Sequence, residues 1–172
     1  MKLEELLNGA EAIRWGADPA LDVTGIASDS RKIKEGYVFV AIRGTKNDGN
    51  DFIPDAVRRG AAAVVTDTRR TTGCQSVLVK NARHAEAVMW NNAAGDPAAG
   101  MTVIAVTGTN GKTSTCFMLR EIFAASGRTP GMITTVRSSV GDRIIDTGGG
   151  SSLSDADAAM TTPDPEIFYP AV

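Results

Sequence analysis

The sequence predicts an α/β protein in two parts: a small alternating strand–helix domain over residues 1–97, then an incomplete strand–loop–helix domain over residues 98–172. Three observations predict it. Short apolar runs rich in β-branched residues alternate with amphipathic stretches in the first part. Asp96-Pro97-Ala98-Ala99-Gly100 breaks that alternation. Beyond the break, an apolar run enters a glycine loop and an amphipathic segment leaves it.

Residues 2–8 predict the first helix, because Leu3, Leu6 and Leu7 recur at helical spacing and Asn8-Gly9 supplies a stop. A polar segment then leads to Gly25-Ile26-Ala27-Ser28-Asp29-Ser30-Arg31. Tyr37 to Ile42 predicts a buried strand, and Gly44 to Asn50 a polar loop with two glycines. Asp51 is the expected cap of a helix that turns Phe52, Ile53, Ala56 and Val57 to one face. Gly60 ends it. Ala61 to Thr66 and Ser76 to Val79 predict two further strands, and Asn81 a cap for a helix through Trp90.

In the second part, Thr102 to Thr107 predicts a strand, and Lys112 to Ala125 a helix closed by Gly127. Gly131 to Val136 predicts the next strand, and Val140-Gly141-Asp142-Arg143 a tight hairpin turn. Residues 147–160, rich in Gly, Ser and Asp, predict a mobile loop, and Asp164-Pro165 a helix start. A doubly wound nucleotide-binding sheet needs more strands than this. Asp142 and Asp146 fall on the predicted hairpin and not at the end of a buried strand, where a magnesium carboxylate belongs. The expectation is a two-domain piece of a longer enzyme.

Hydrophobic residues make up 42% and charged residues 22%, the balance of a globular protein with a solvated surface. Aromatics are 5%, so the core is expected to be aliphatic. The net charge is -2 with both signs scattered, which lacks the basic footprint of a nucleic-acid binder. An anionic nucleotide needs only a local positive field. Cys74 and Cys116 have no CxxC spacing and His84 is the single histidine, so no structural zinc site is expected. Reduced thiols in a cytoplasmic protein are the expectation. Glu4 and Glu5 sit where a signal peptide would be basic, and no stretch reaches bilayer length. Trp15, Trp90 and Cys116 read as packing groups, and His84 as a surface residue without a partner.

The strongest chemical signal is Gly108-Thr109-Asn110-Gly111-Lys112-Thr113. Successive backbone N–H groups in such a turn cradle phosphate oxygens, and the following helix adds its positive end. Lys112 is the cation for the β- and γ-phosphates, and Thr113 the hydroxyl ligand for magnesium. The strict pattern has glycine five residues before Gly111, where this chain has Val106. The entering apolar strand and the leaving helix compensate for that departure.

Val106 to Thr113 resembles the ATP loop of the Mur ligases and of the related folylpolyglutamate synthetases. Asp29 to Gly44, with its Asp-Ser-Arg start, is similar to the UDP-sugar-binding domain of the Mur ligases. So is Asp48-Gly49-Asn50-Asp51-Phe52-Ile53, followed by Ala56 and Gly60-Ala61. With Thr161-Thr162-Pro163-Asp164-Pro165, the chain looks most like the branch that adds the third residue of the peptidoglycan stem. The resemblance spans nearly all 172 residues.

That resemblance implies a UDP-binding α/β domain over residues 1–97 and the start of a P-loop-type central ATPase domain over 98–172. It implies an ATP- and Mg2+-dependent C–N ligase that activates UDP-N-acetylmuramoyl-L-alanyl-D-glutamate as an acyl phosphate. A diamino acid, lysine or diaminopimelate, then attacks. Gly108, Thr109, Asn110, Gly111, Lys112, Thr113 and Ser114 would hold ATP, with Lys112 catalytic and Thr113 on Mg2+. Ser28, Ser30, Thr45, Lys46, Asn47, Thr161 and Thr162 would hold the UDP-linked substrate. The expected partners are these substrates alone, with no nucleic acid and no membrane, in a cytoplasmic monomer. Taken by themselves, Ser28 to Ser30 also fit turn hydrogen bonds, residues 45–49 an ordinary polar loop, and Arg31 either a phosphate partner or a surface charge. Other readings are another ligase of the superfamily, adding D-alanyl-D-alanine or folate glutamates, a UDP-sugar binder without turnover, and a small-molecule kinase. The kinase would need an acidic magnesium residue and a lid, and neither is found.

Overall fold

The computed structural model describes residues 1–44, 47–69 and 73–145. They fall in two compact units, one spanning Met1–Met101 and one beginning at Thr102. In the first unit, strands β1 (Ala12–Gly16), β2 (Gly25–Ala27), β3 (Tyr37–Ala41), β4 (Ala63–Thr66) and β5 (Ser76–Val79) form one sheet in the order β1-β5-β4-β3-β2. β2 to β5 run parallel, and β1 closes one edge antiparallel to β5.

Alternation along β3 builds two cores. Val38 and Val40 join Ala63, Val65, Val77 and Val79 on one face, under helices α1 (Leu3–Leu6) and α3 (Ala82–Ala93). Phe39 and Ala41 join Val64 on the other, under Ile53 and Ala56 of α2 (Ile53–Arg58). Both faces of the central strands are covered, so they read as continuous apolar runs. In α3, Ala82, Ala85, Glu86, Met89 and Trp90 form the buried stripe at helical spacing. The Asn81 side chain caps α3 by accepting from the His84 N–H at 3.0 Å.

The N-terminus is tied to the end of this unit. The Asn92 amide donates to the carbonyls of Glu5 (3.3 Å), Leu6 (3.0 Å) and Asn8 (2.9 Å) at the end of α1, where the Glu5 oxygen also accepts from the Asn8 N–H.

Three expectations are corrected. β1 lies in the segment read as polar, and β2 opens the run Gly25 to Arg31, for which no element is expected. Asp51 is not the cap before α2: Asp48 accepts from the Asn50 N–H at 2.9 Å and caps a 3-10 turn, Gly49–Phe52, that runs into the helix. Phe52 is consequently exposed, while Ile53 and Ala56 are buried. Residues 102–107 are not a strand, and Val103 is 76% exposed. A strand exists only through its ladder, and no described strand pairs with this run.

The second unit holds α4 (Lys112–Ala125) and a three-stranded antiparallel meander of β6 (Gly131–Ile133), β7 (Ser138–Val140) and β8 (Arg143–Ile145). Val140 pairs with Arg143 across Gly141-Asp142, the expected two-residue turn, with Gly141 at φ 53° in its first central position. Arg120 of α4 donates to the Gly141 carbonyl at 2.8 Å and ion-pairs with Asp142 and Glu121. No residue of α4 is buried. The loop expected at 147–160 and the helix start at 164–165 lie outside the described residues. Among the described residues, no helix is long and apolar enough to cross a membrane.

Candidate functional site

In a parallel sheet, ligands gather beyond the carboxyl ends of the strands. In the first unit those ends carry Ser28 to Ser30 after β2, residues 42–50 after β3 and Asp67-Thr68 after β4. β2 and β3 are parallel hydrogen-bonded neighbours, so the segment with Ser28 and Ser30 and the loop with Asn47 leave the same end of the sheet. Ser28 is exposed. Ser30 opens a 3-10 turn, Ser30–Lys32, and is buried. Asn47 is exposed, and its carbonyl accepts from the Gly44 N–H at 2.9 Å. Thr45 and Lys46, from the same loop, and Thr161 and Thr162 lie outside the described residues.

Charge at this edge is arranged in local pairs. Asp29 accepts the Arg31 N–H at 2.9 Å and the Arg31 guanidinium at 2.9, 3.1 and 2.7 Å. The Arg31 side chain holds the Asp29 carboxyl down at about 2. Arg31 is thus committed to Asp29 in this structure. Asp55 of α2 is likewise held below its ordinary value, first by the neighbouring Ser30 hydroxyl and then by Arg58 (3.1 Å) and Arg59 (2.9 Å).

The feature that sequence reasoning missed is a buried network behind this edge. Asn50, 3% exposed, accepts from the hydroxyls of Thr66 (2.7 Å) and Thr68 (2.8 Å), 16 and 18 residues away. The available signal was Asp48-Gly49-Asn50, which reads locally as a turn. A concavity of about 760 Å³ opens over β1, β5 and β4, and both hydroxyl partners of Asn50, Thr66 and Thr68, line it with Arg14, Arg69 and Ser76. Neither Ser28, Ser30 nor Asn47 lines it.

In the second unit, Gly108 (φ 147°) and Gly111 (φ 80°) take backbone conformations that L side chains rarely adopt. Gly111 is the N-cap of α4, with no side chain bonding the first turn. The opening N–H groups of this 14-residue helix have no partner within the helix, which suits an anion. Lys112 Nζ lies 2.6 Å from the Gly108 carbonyl and 3.5 Å from that of Thr109, so the ammonium sits over the loop. Gly108, Thr109, Asn110, Gly111, Lys112 and Ser114 are exposed and Thr113 is half-buried, in a continuous run from the loop into the first turn of α4. This donor set fits a polyphosphate: uncapped amides, an ammonium and a hydroxyl. It fits magnesium only in part, since no cluster of three His, Cys, Asp or Glu side chains occurs among the described residues.

The family model described as Mur ligase family, catalytic domain, matches residues 22–106 and so ends just before the glycine loop. The UDP-N-acetylmuramoyl-L-alanyl-D-glutamate--2,6-diaminopimelate ligase of Caldanaerobacter subterraneus subsp. tengcongensis is 40% identical over 149 residues, covering 86% of this chain and 31% of that protein. The ligase of the same name from Parabacteroides distasonis is 34% identical over 173 residues, covering 98% of this chain and 33% of its own length. This chain therefore spans about a third of the curated relatives it matches. A solved structure of a ligase of that name superposes with a TM-score of 0.64 at 21% identity, over 84% of this chain and 29% of that one. At that identity the likeness is one of fold.

Proposed function

We propose that the chain belongs to the Mur ligase family, whose model matches residues 22–106, and that it is about a third of an ATP-dependent peptidoglycan-precursor ligase. The reaction is amide-bond formation between UDP-N-acetylmuramoyl-L-alanyl-D-glutamate and a diamino acid. Diaminopimelate is preferred over lysine because the relatives carry that amino acid in their names. One observation carries the reading. The likeness to an enzyme of that name runs over 98% of this chain, and so takes in both the sheet-edge cluster and the glycine loop.

Residues 1–97 hold the uridine diphosphate end, with Ser28, Ser30 and Asn47 at the sheet edge and Thr45 and Lys46 in the same loop. Thr161 and Thr162 take the muramoyl-peptide part. Residues 98–172 begin the ATP-binding domain. There the amides of residues 108–114 hold phosphate oxygens, and Lys112 exchanges the Gly108 carbonyl for phosphate charge. Thr113 supplies a magnesium oxygen. ATP, when bound, supplies the phosphoryl group that activates the substrate carboxylate. The protein's own work in such a transfer is positioning and charge stabilisation. The reading carries with it a cytoplasmic reaction and a monomeric protein, as the family resemblance implies.

Isothermal titration of the chain with UDP-N-acetylmuramoyl-L-alanyl-D-glutamate tests this, with a folate in a parallel titration. Binding of the UDP compound alone, weakened by Ser28→Ala, is the expected result. A folded chain that takes the folate, or neither ligand, overturns it.

A further inference from the structure

Asn50 stands where the loop after β3 meets the end of β4. Its Oδ1 accepts from Thr66 Oγ1 at 2.7 Å and Thr68 Oγ1 at 2.8 Å. Its Nδ2 donates to Asp48 Oδ1 at 2.7 Å, and its backbone N–H donates to the same oxygen at 2.9 Å. Asp48 in turn lies 3.9 Å from Arg43 Nε and pairs with Arg43 across an isolated bridge. At the loop's neck, the Gly49 N–H donates to the Ile42 carbonyl at 2.9 Å. Further out, the Gly44 N–H donates to the Asn47 carbonyl at the same distance.

One side-chain amide therefore fastens this loop to the neighbouring strand. Both of its ends are used, and neither aspartate nor leucine could replace it. Aspartate would have no proton for Asp48 and would set two carboxylates together. Leucine would leave the Thr66 and Thr68 hydroxyls only each other and would take one donor from Asp48. An apolar contact would fill the space at less desolvation cost, but a fully bonded buried network selects a single loop arrangement.

We propose that Asn50 is a positioning residue for nucleotide binding. It fastens the neck of the loop that carries Asn47 to the end of β4, and so sets the affinity for the uridine diphosphate moiety without touching it. This rests on the reading of that edge as the UDP site.

The test titrates the chain with UDP in five forms: wild type, Asn50→Ala, Thr68→Val, Thr68→Ser and Ser28→Ala. Thermal melts and a parallel ATP titration accompany each. Asn50→Ala is expected to weaken UDP about tenfold or more, the effect of losing roughly one to two net hydrogen bonds. Thr68→Val, of equal volume, should weaken UDP in the same direction. Thr68→Ser, which keeps the hydroxyl, should restore it, and ATP affinity should stay level throughout. A purely structural role would move the melts without separating serine from valine in UDP affinity. If Asn50→Ala fails to fold, the Thr68 pair decides alone. Wild-type UDP affinity in Asn50→Ala and Thr68→Val, with Ser28→Ala impaired, overturns the role of Asn50 and leaves the site standing. A folded wild type that ignores UDP overturns both.

Discussion

The Lys112 ammonium lies 2.6 Å from the carbonyl oxygen of Gly108, so the cation of the phosphate loop is bonded to the loop that it serves. The contact is exposed, and on the proposed reading a nucleotide phosphate takes its place as a charged partner. Lys112→Ala in the complete ligase should lower kcat by roughly 10²–10³-fold, the scale seen when one preorganised charge-stabilising donor is removed. Steady-state kinetics at saturating ATP measures it, and turnover like wild type would remove Lys112 from the chemistry.

Gly49→Ala should be more damaging than Gly111→Ala to overall stability. A Cβ at position 49 would lie 2.7 Å from the Ile42 backbone nitrogen and closer still to its carbonyl oxygen. Neither backbone atom can move without opening the loop neck. At Gly111 a Cβ meets nothing within 4 Å, and only the positive φ resists it. The expected costs are about 1–3 kcal/mol for Gly49→Ala, as in an overpacked core, against about 1 kcal/mol for Gly111→Ala. Urea unfolding followed at the first unit's Trp90 checks the former, and amide exchange in α4 the latter. A silent Gly49→Ala would show that the neck is loose.

The Asp29–Arg31 pair predicts a particular acid limb. The folded carboxyl is held at about 2 by the Arg31 side chain, below its unfolded value of about 3.9. A depressed folded value contributes stability that is present above the unfolded value and is lost as pH falls through the folded one. The window is therefore between about 4 and 2. Because the Arg31 side chain is 82% exposed, the contribution at pH 7 should be under about 1 kcal/mol. Asp29→Asn should flatten the pH dependence of stability in that window and cost little at neutrality. An unchanged acid limb would show that the pair does not persist in solution.

Ser138 and Ser139 on β7 are each 3% exposed, and neither hydroxyl has a partner among the described residues. Leaving a buried hydroxyl unbonded costs about 1–3 kcal/mol, so Ser139→Ala should stabilise the meander or leave it unchanged. Amide exchange along β6 to β8 reads this directly. Faster exchange in the variant would mean that the hydroxyl is bonded in solution.

The sheet's interior was legible because its residues carry their own evidence. Tyr37 to Ala41 is β-branched or aromatic at nearly every step, and it is an interior strand, buried on both faces. Asn81 announces α3 by the same local bond that the structure shows. β1 was not legible. It is an edge strand whose five residues are all exposed, so no burial pattern is written into Ala12-Ile13-Arg14-Trp15-Gly16. Thr102 to Thr107 shows the reverse error, an apolar run that no described strand pairs with. At the candidate site, the glycine loop was legible because its chemistry is contiguous in sequence. The Asn50 network was not, because its threonines come from another strand and nothing near Asn50 in the chain points to them.

The three carbonyls that Asn92 gathers belong to residues 84 to 87 positions earlier in the chain. During synthesis, then, the opening turn emerges from the ribosome long before its fastener does. Until Asn92 is made, the Leu6 and Asn8 oxygens lack the amide that bonds them, the Glu5 oxygen has only the Asn8 N–H, and Leu3 and Leu6 lack the α3 surface that completes their burial. A contact of such sequence separation delays closure rather than starting it. The first helix of this chain is thus among the last pieces of its unit to become permanent.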